Sequence, residues 1–274
     1  MPYDRDTLFA TPLISWQQVR LLAPQPQWSD GYRPAGARLL LLQQDRLECE
    51  LTPEVSGHGA GGRRFLCDGT SALWLTPSRP YRMRQPGAGV RGHLLCLHGD
   101  EPSHAGRRAV SLQQHLALRR WQRALHDGLI EPLALEEALL ALLQDVLAQR
   151  VDDAGAAPRA VERTRELLAA DPARGDTLAE IARAVHASPY HLARQFRRHT
   201  GSTVHGHRTR LRITLALQRL AQGASDLTQL ALDLGFASHS HFSAAFRRAT
   251  GTTPSALRTI STARAGAGAA DSAR

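Results

Sequence analysis

DLTQLALDLGFASHSHFSAAFRRATG, Asp226 to Gly251, decides how the rest of the chain is read. Earlier, TLAEIARAVHASPYHLARQFRRHTG, Thr177 to Gly201, follows the same plan. Each copy is a short apolar helix, a tight turn, an N-cap serine and a second helix ending Arg-Arg-x-Thr-Gly. Repetition of a unit this size reports architecture before any single residue does. Thr177 with Glu180 reads as a capping box, and Asp226 with Gln229 as its repeat. Ile181, Ala182 and Val185 share one helix face, as do Leu227, Leu230, Ala231 and Leu234. Gly235 suits the left-handed conformation that ends a helix. Ser188 and Ser238 cap the second helices, and Pro189 fits at a first helical position, where no N–H is needed. Leu192 and Phe196 in one copy, and Phe242, Ala245 and Phe246 in the other, are expected to point inward.

Two helices joined by a tight turn make a helix-turn-helix, whose second helix can enter the major groove. The outward residues are then Tyr190, Ala193, Arg194 and Arg197 in the first unit. In the second they are His239, Ser240, Ser243, Ala244 and Arg247. Arginine pairs bidentately with guanine, while histidine and serine bond base edges or phosphates. Arg198 and Arg248 are expected to clamp phosphates or to pair within the domain. Charged helical hairpins are common in proteins that touch no DNA. Two with matched caps and matched Arg-Arg ends are a far narrower signal.

The charge lies where these units lie. The chain has 274 residues, a formal net charge of +9 and 34 basic residues, all of them arginine. Arg159 to Arg258 carries 15 arginines against 7 acids, so the remainder is nearly neutral. A basic segment of this kind suits phosphate binding. The length suggests two domains. The start, MPYDRDTLFA, has acids and no apolar run, so no secretory signal is expected, and no stretch is apolar enough for a membrane span. Cys49, Cys67 and Cys96 are odd in number and widely spaced, which suits free thiols in a reducing cytoplasm.

Thr177 to Arg258 resembles the C-terminal DNA-binding domain of AraC/XylS-type transcription regulators. The hallmark positions are Ala231, Gly235, Phe236, Ser238, Phe242, Phe246, Gly251 and Pro254. The connecting RLRITLALQRL, Arg210 to Leu220, fits through Arg212, Ala216 and Leu220. The resemblance implies seven helices, with two recognition helices in successive major-groove turns on one DNA face. It also implies a preceding sensing or dimerising domain, with a small-molecule effector and a homodimer as its associated expectations. Promoter DNA and RNA polymerase are the implied partners, activation the commoner role, and the nucleoid of a bacterial cytoplasm the implied place. This sequence departs at Ala193 and Ala244, small where polar readers often stand. His207 replaces a common aromatic and Ala256 a frequent tyrosine.

From Ala37 onward, short apolar runs broken by Gly and Pro read as strands: ARLLLLQQ, RLECELT, SALWLTP, PYRMRQP and GHLLCLHG. Residues 1 to about 35 have weak periodicity, and within them Asp4 to Gln17 leave strand and short helix open. The expected fold class is α+β: a small cupin-like β-barrel with helices, as in many AraC-type regulators, followed by an all-α domain with two helix-turn-helix units. SLQQHLALRRWQRALHDG, Ser111 to Gly128, places Leu112, Leu116, Leu118, Trp121 and Leu125 near one broad face. LALEEALLALLQDVLAQR, Leu133 to Arg150, is a second apolar helix, for packing in the same chain or for a dimer seam. The expected division is 1–150 for sensing or dimerisation, 151–158 as linker, 159–260 for DNA binding and 261–274 as a disordered tail.

An enzyme is not expected. No Gly-rich phosphate loop, Gly-x-Ser-x-Gly elbow or Cys-x-x-Cys pair is present. A cupin metal site needs His-x-His and a following Glu; here His93 and His98 flank Cys96, and His58 lies in a Gly-rich loop, so no metal or cofactor is expected. The alternative reading is a ligand- or metal-binding cupin whose helical C-terminus serves assembly. A methyl-accepting repair protein would need a Pro-Cys-His-Arg context that none of the three cysteines has.

Overall fold

The computed structural model describes residues 4–21, 24–52, 63–87, 89–99, 104–149 and 157–257. His58, most of the expected linker and the expected tail lie outside them. Among these residues nine strands come first: β1 (Asp4–Ala10), β2 (Ile14–Leu21), β3 (Arg38–Gln44), β4 (Leu47–Leu51), β5 (Arg63–Cys67), β6 (Ser71–Leu75), β7 (Tyr81–Arg84), β8 (Val90–Leu97) and β9 (Gly106–Ala109). Among the described residues eight helices follow: α1 (Leu112–His126), α2 (Pro132–Ala148), α3 (Arg159–Ala170), α4 (Leu178–Ala184), α5 (Pro189–Thr200), α6 (Val204–Ala221), α7 (Leu227–Asp233) and α8 (His239–Thr250).

The strands form two antiparallel sheets, one of six in the order β1-β2-β8-β3-β6-β9 and one of three in the order β5-β4-β7. The expected runs become β3, β4, β6, β7 and β8. The open N-terminal stretch resolves as β1 and β2. Leu39 to Leu42 is a continuous apolar run because both faces of β3 are covered. Leu39 and Leu41, with Trp16, Trp74 and Leu95, face α2 through Leu135, Leu139 and Leu142. Leu40 and Leu42, with Leu73, Leu75 and Leu94, face the smaller sheet through Leu47, Cys49 and Tyr81. The result is three layers: helix, sheet, sheet. Hydrogen bonding among the described residues does not close the two sheets into one barrel.

Two helices depart from expectation or settle it. At 100° per residue, Leu112 and Leu116 of α1 lie nearly opposite Leu118, Trp121 and Leu125. They serve two cores rather than one broad face: the second trio packs on the sheet, and Leu112 and Leu116 pack among the C-terminal helices. The buried stripe of α2 packs within the same chain, leaving Leu133 and the preceding Leu129 exposed. No helix among the described residues is long and apolar enough to cross a membrane.

Candidate nucleic-acid interface

Local chemistry builds each helical unit. Thr177 Oγ1 accepts from the Glu180 amide, and Glu180 Oε2 accepts from the Thr177 amide at 2.7 Å, so the first capping box forms. The second does not. Asp226 Oδ1 accepts from the amides of Thr228 and Gln229 at 2.8 and 2.9 Å, while the Gln229 side chain turns away to Asp233 at 2.8 Å. One carboxylate oxygen takes both amides, and Gln229 finds a better acceptor one turn on. Ser188 and Ser238 cap α5 and α8 by accepting from His191 and His241. Both helices end on a left-handed glycine, Gly201 and Gly251. In the turns between helices the left-handed residue is His186 (φ 55°) in one unit and Gly235 (φ 77°) in the other.

Each unit has its own core. Ile181, Ala182, Leu192 and Phe196 pack with Val161 and Leu168 of α3 and Leu211 of α6. Leu230, Ala231, Phe236, Phe242 and Phe246 pack with Ile213, Ala216 and Leu217 of α6. The 18-residue α6 thus joins both units and is about 27 Å long at 1.5 Å per residue. Arg212 ties them a second time. Its guanidinium donates to the carbonyls of Pro172 (2.6 Å), Gly235 (2.7 Å), Ala173 (3.1 Å) and Arg174 (3.2 Å), and it lies over the Phe236 ring. The hallmark arginine is therefore a bracket between the loop after α3 and the turn before α8. The spacing pattern marks the position but not this role. A further helical turn begins at Pro254 and runs to the last described residue.

The outward residues fall on two faces. Tyr190 is 77% exposed, Arg194 and Arg197 are exposed, and Ala193 is half-buried between them. On α8, Ser240, Ala244 and Arg247 are exposed. His239 and Ser243 are half-buried, with Ser243 Oγ 3.3 Å from His239 Nε2. Arg198 and Arg248 are exposed. Among the described residues none of these arginines forms an ion pair, so their donors are open to an acceptor from outside.

The candidate metal residues are scattered by the sheet. His93 and Cys96 are three apart on β8 and so point to opposite faces. His93 is buried, with its Nδ1 accepting from the Trp16 indole N–H at 3.1 Å. Cys49 and Cys67 lie in the core between the sheets, where burial pushes the thiols up, Cys67 to about 12, so they stay protonated. Among the described residues no group of three His, Cys, Asp or Glu is arranged to hold a metal ion.

A family model described as a helix-turn-helix domain matches residues 181–260. A protein of Streptomyces antibioticus named as an AraC-like transcription regulator is 32% identical over 146 residues, 50% of this chain and 48% of the relative. The transcriptional regulator RipA of Corynebacterium glutamicum is 36% identical over 103 residues, 38% of this chain and 31% of that protein. The chain spans about half the length or less of these curated relatives. Among solved structures, ToxT from Vibrio cholerae O395 aligns over 92% of this chain and 99% of its own at 12% identity, with a TM-score of 0.36. Residues 181–260, with their two capped helical hairpins, are a helix-turn-helix domain of the AraC type.

Proposed function

We propose that this chain is a sequence-specific, DNA-binding transcription regulator that reads two successive major-groove segments, one with α5 and one with α8. The carrying observation is the pair of exposed, unpaired arginine faces held on separate cores by one helix. α6, about 27 Å long, carries both cores, a span of the same order as the roughly 34 Å of one DNA turn. Arg194 and Arg197, beside Tyr190, are the base or phosphate readers of the first unit. His239, Ser240, Ser243 and Arg247 are those of the second, with Ala193 and Ala244 allowing close approach. Arg198 clamps a phosphate. An activator role, contact with RNA polymerase and a homodimer are carried over from the resemblance. The division into a sensing part (1–150) and a DNA-binding part (159–260) belongs to the same reading.

The test is selection of bound fragments from genomic DNA, followed by footprinting. The expected product is a motif of two half-sites about one turn apart. Arg194→Ala and Arg247→Ala should each cost about 1–3 kcal/mol and relax one base position in one half-site. A loss equal on all sequences would make the residue a phosphate contact. Binding no tighter than to random DNA would sink the reading.

A cavity of about 520 Å³ between the two sheets supports a small-molecule effector in the N-terminal part. Leu40, Leu75, Met83, Val90 and Leu94 wall it, and Arg5, Arg20 and Arg38 also line it against a single acid among the described residues, Asp30. Arg38 is 8% exposed, with its Nε on the Gly36 carbonyl at 3.3 Å. Apolar walls with a cationic side suit a compact amphipathic anion. A medium-chain carboxylate is expected to raise the melting temperature where the matching alcohol does not, and Arg38→Gln should erase the difference. Equal shifts for acid and alcohol would rule out charge recognition.

A further inference from the structure

The turn between β5 and β6 leaves the sheets and enters the helices. Asp68 is 1% exposed. Its Oδ1 accepts from the Thr70 amide (2.9 Å), Thr70 Oγ1 (2.6 Å) and Ser71 Oγ (3.2 Å). Its Oδ2 faces Arg165 Nη2 of α3 at 3.3 Å and His207 Nε2 of α6 at 3.6 Å. Arg165 also donates to Ser71 Oγ at 3.3 Å. The Gly69 carbonyl accepts from His115 Nε2 of α1 at 3.0 Å and from Thr214 Oγ1 of α6 at 3.5 Å. A Cβ on Gly69 would stand 2.6 Å from Thr214 Cγ2. Three helices thus form a socket, and the turn is its plug. Beside it, Arg107 of β9 makes a two-bond pair with Glu162 of α3, at 3.1 and 3.0 Å. Burial opposes the Asp68 charge, but Arg165, His207 and Thr70 outweigh it and hold the carboxyl well below its usual value.

The sheet part meets the two helical units by different physics. The second unit is fastened through α1, whose Leu112 and Leu116 sit inside its core. Among the described residues the first unit's apolar core contains no side chain from the sheets, and the contacts described above between α3 and the sheet part are ion pairs and hydrogen bonds. An apolar seam cannot open without exposing area, whereas polar groups can exchange partners for water. The polar seam also leads somewhere. His207 meets Phe196 edge-on at 5.4 Å, and Phe196 is the buried anchor of α5. In the other direction, β6 begins at Ser71, beside the plug, and ends at Leu75 in the cavity wall.

We infer that the Asp68 turn is the joint through which the sheet part sets the pose of the first recognition helix, while the second stays fixed on α1. This rests on the DNA-binding reading above and names its point of regulation. Loosening the joint should weaken the half-site read by α5 and spare the one read by α8, because a less ordered reader loses preorganisation.

The test uses the full chain on its selected DNA, with the α5 half-site assigned as the one that fades in Arg194→Ala. In Asp68→Asn, protection of that half-site is expected to need about tenfold more protein, a shift of about 1.4 kcal/mol, with the α8 half-site unchanged. Leu75→Ala should shift the same half-site in the parent and add nothing in the Asp68→Asn background. Equal losses at both half-sites, no loss at either, or additive effects of the two changes would overturn the inference. Should Asp68→Asn fail to fold, Ser71→Ala keeps the charge pair, removes one hydroxyl and is decided by the same results. Failure of the DNA-binding reading itself would show earlier, as a parent chain that protects no site.

Discussion

Three buried histidines set how this protein should respond to acid. Burial pushes His93 down to about 3 and His115 to about 4, and His207 below its usual value despite Asp68 nearby. Each folded pKa lies below the unfolded one, near 6.5. As pH falls, the unfolded chain therefore takes up these protons first, and stability drops from about 6.5 down to each folded value. Asp68 acts lower: the stability it contributes is complete above its unfolded pKa, about 3.9, and is lost as pH falls through its depressed folded value. Denaturant unfolding followed by tryptophan fluorescence should show a plateau above pH 7. Below about pH 6 the loss should approach about 1.4 kcal/mol per pH unit for each of His93 and His115, with His207 adding in the same direction. A flat profile from pH 7 to 5 would contradict their burial. His207 stands at a position the resemblance marks as aromatic, but nothing in the sequence separates His93 or His115 from the exposed His186 or His191. The difference is burial, which a residue's neighbours in sequence do not report.

At the scale of elements, the two helical hairpins were legible because caps, turns and apolar spacing act over three or four residues. Ser188, Ser238, Gly201 and Gly251 do what their positions announce. The turn at Gly235 shows where that reading stops. Its φ of 77° explains glycine, but a Cβ there would also stand 2.1 Å from the Ala173 carbonyl, 62 positions earlier. Left-handed strain alone costs about 1–2 kcal/mol. Gly235→Ala is therefore expected to destabilise by more than that and to loosen the Arg212 bracket. Thermal unfolding checks this, and a loss under about 1 kcal/mol would mean that the loop after α3 yields freely. In α1 the apolar residues interleave along the chain and read as one broad face, whereas the fold sends Leu112 and Leu116 to one core and Leu118, Trp121 and Leu125 to another.

For the molecule as a whole, α1 is the member that both parts need. Truncating Leu116, 2% exposed in the second helical core, should cost about 2–5 kcal/mol. DNA affinity should fall with it, although Leu116 lies within 1–150, the segment proposed for sensing. Hydrogen exchange would localise the damage: faster exchange is expected in α7 and α8, with the β2–β8 pairing unchanged. Exchange faster in the sheets than in α7 and α8 would place Leu116 in the other core.

The sequence by itself determined the two capped hairpins, their outward arginines, the joining helix and most of the strands. Each of these follows from contacts within a turn or from the pleat's two-residue alternation. Only the tertiary structure decided the strand order, the cavity between the sheets, the Arg212 bracket and the Asp68 joint. Those depend on partners far apart in the chain, such as Ser71 with Arg165 or Leu41 with His93, and many apolar runs could pair equally well by pattern. What selects among them is which arrangement buries both faces of β3 and β6 and leaves each buried charge with a partner, a condition on the whole fold.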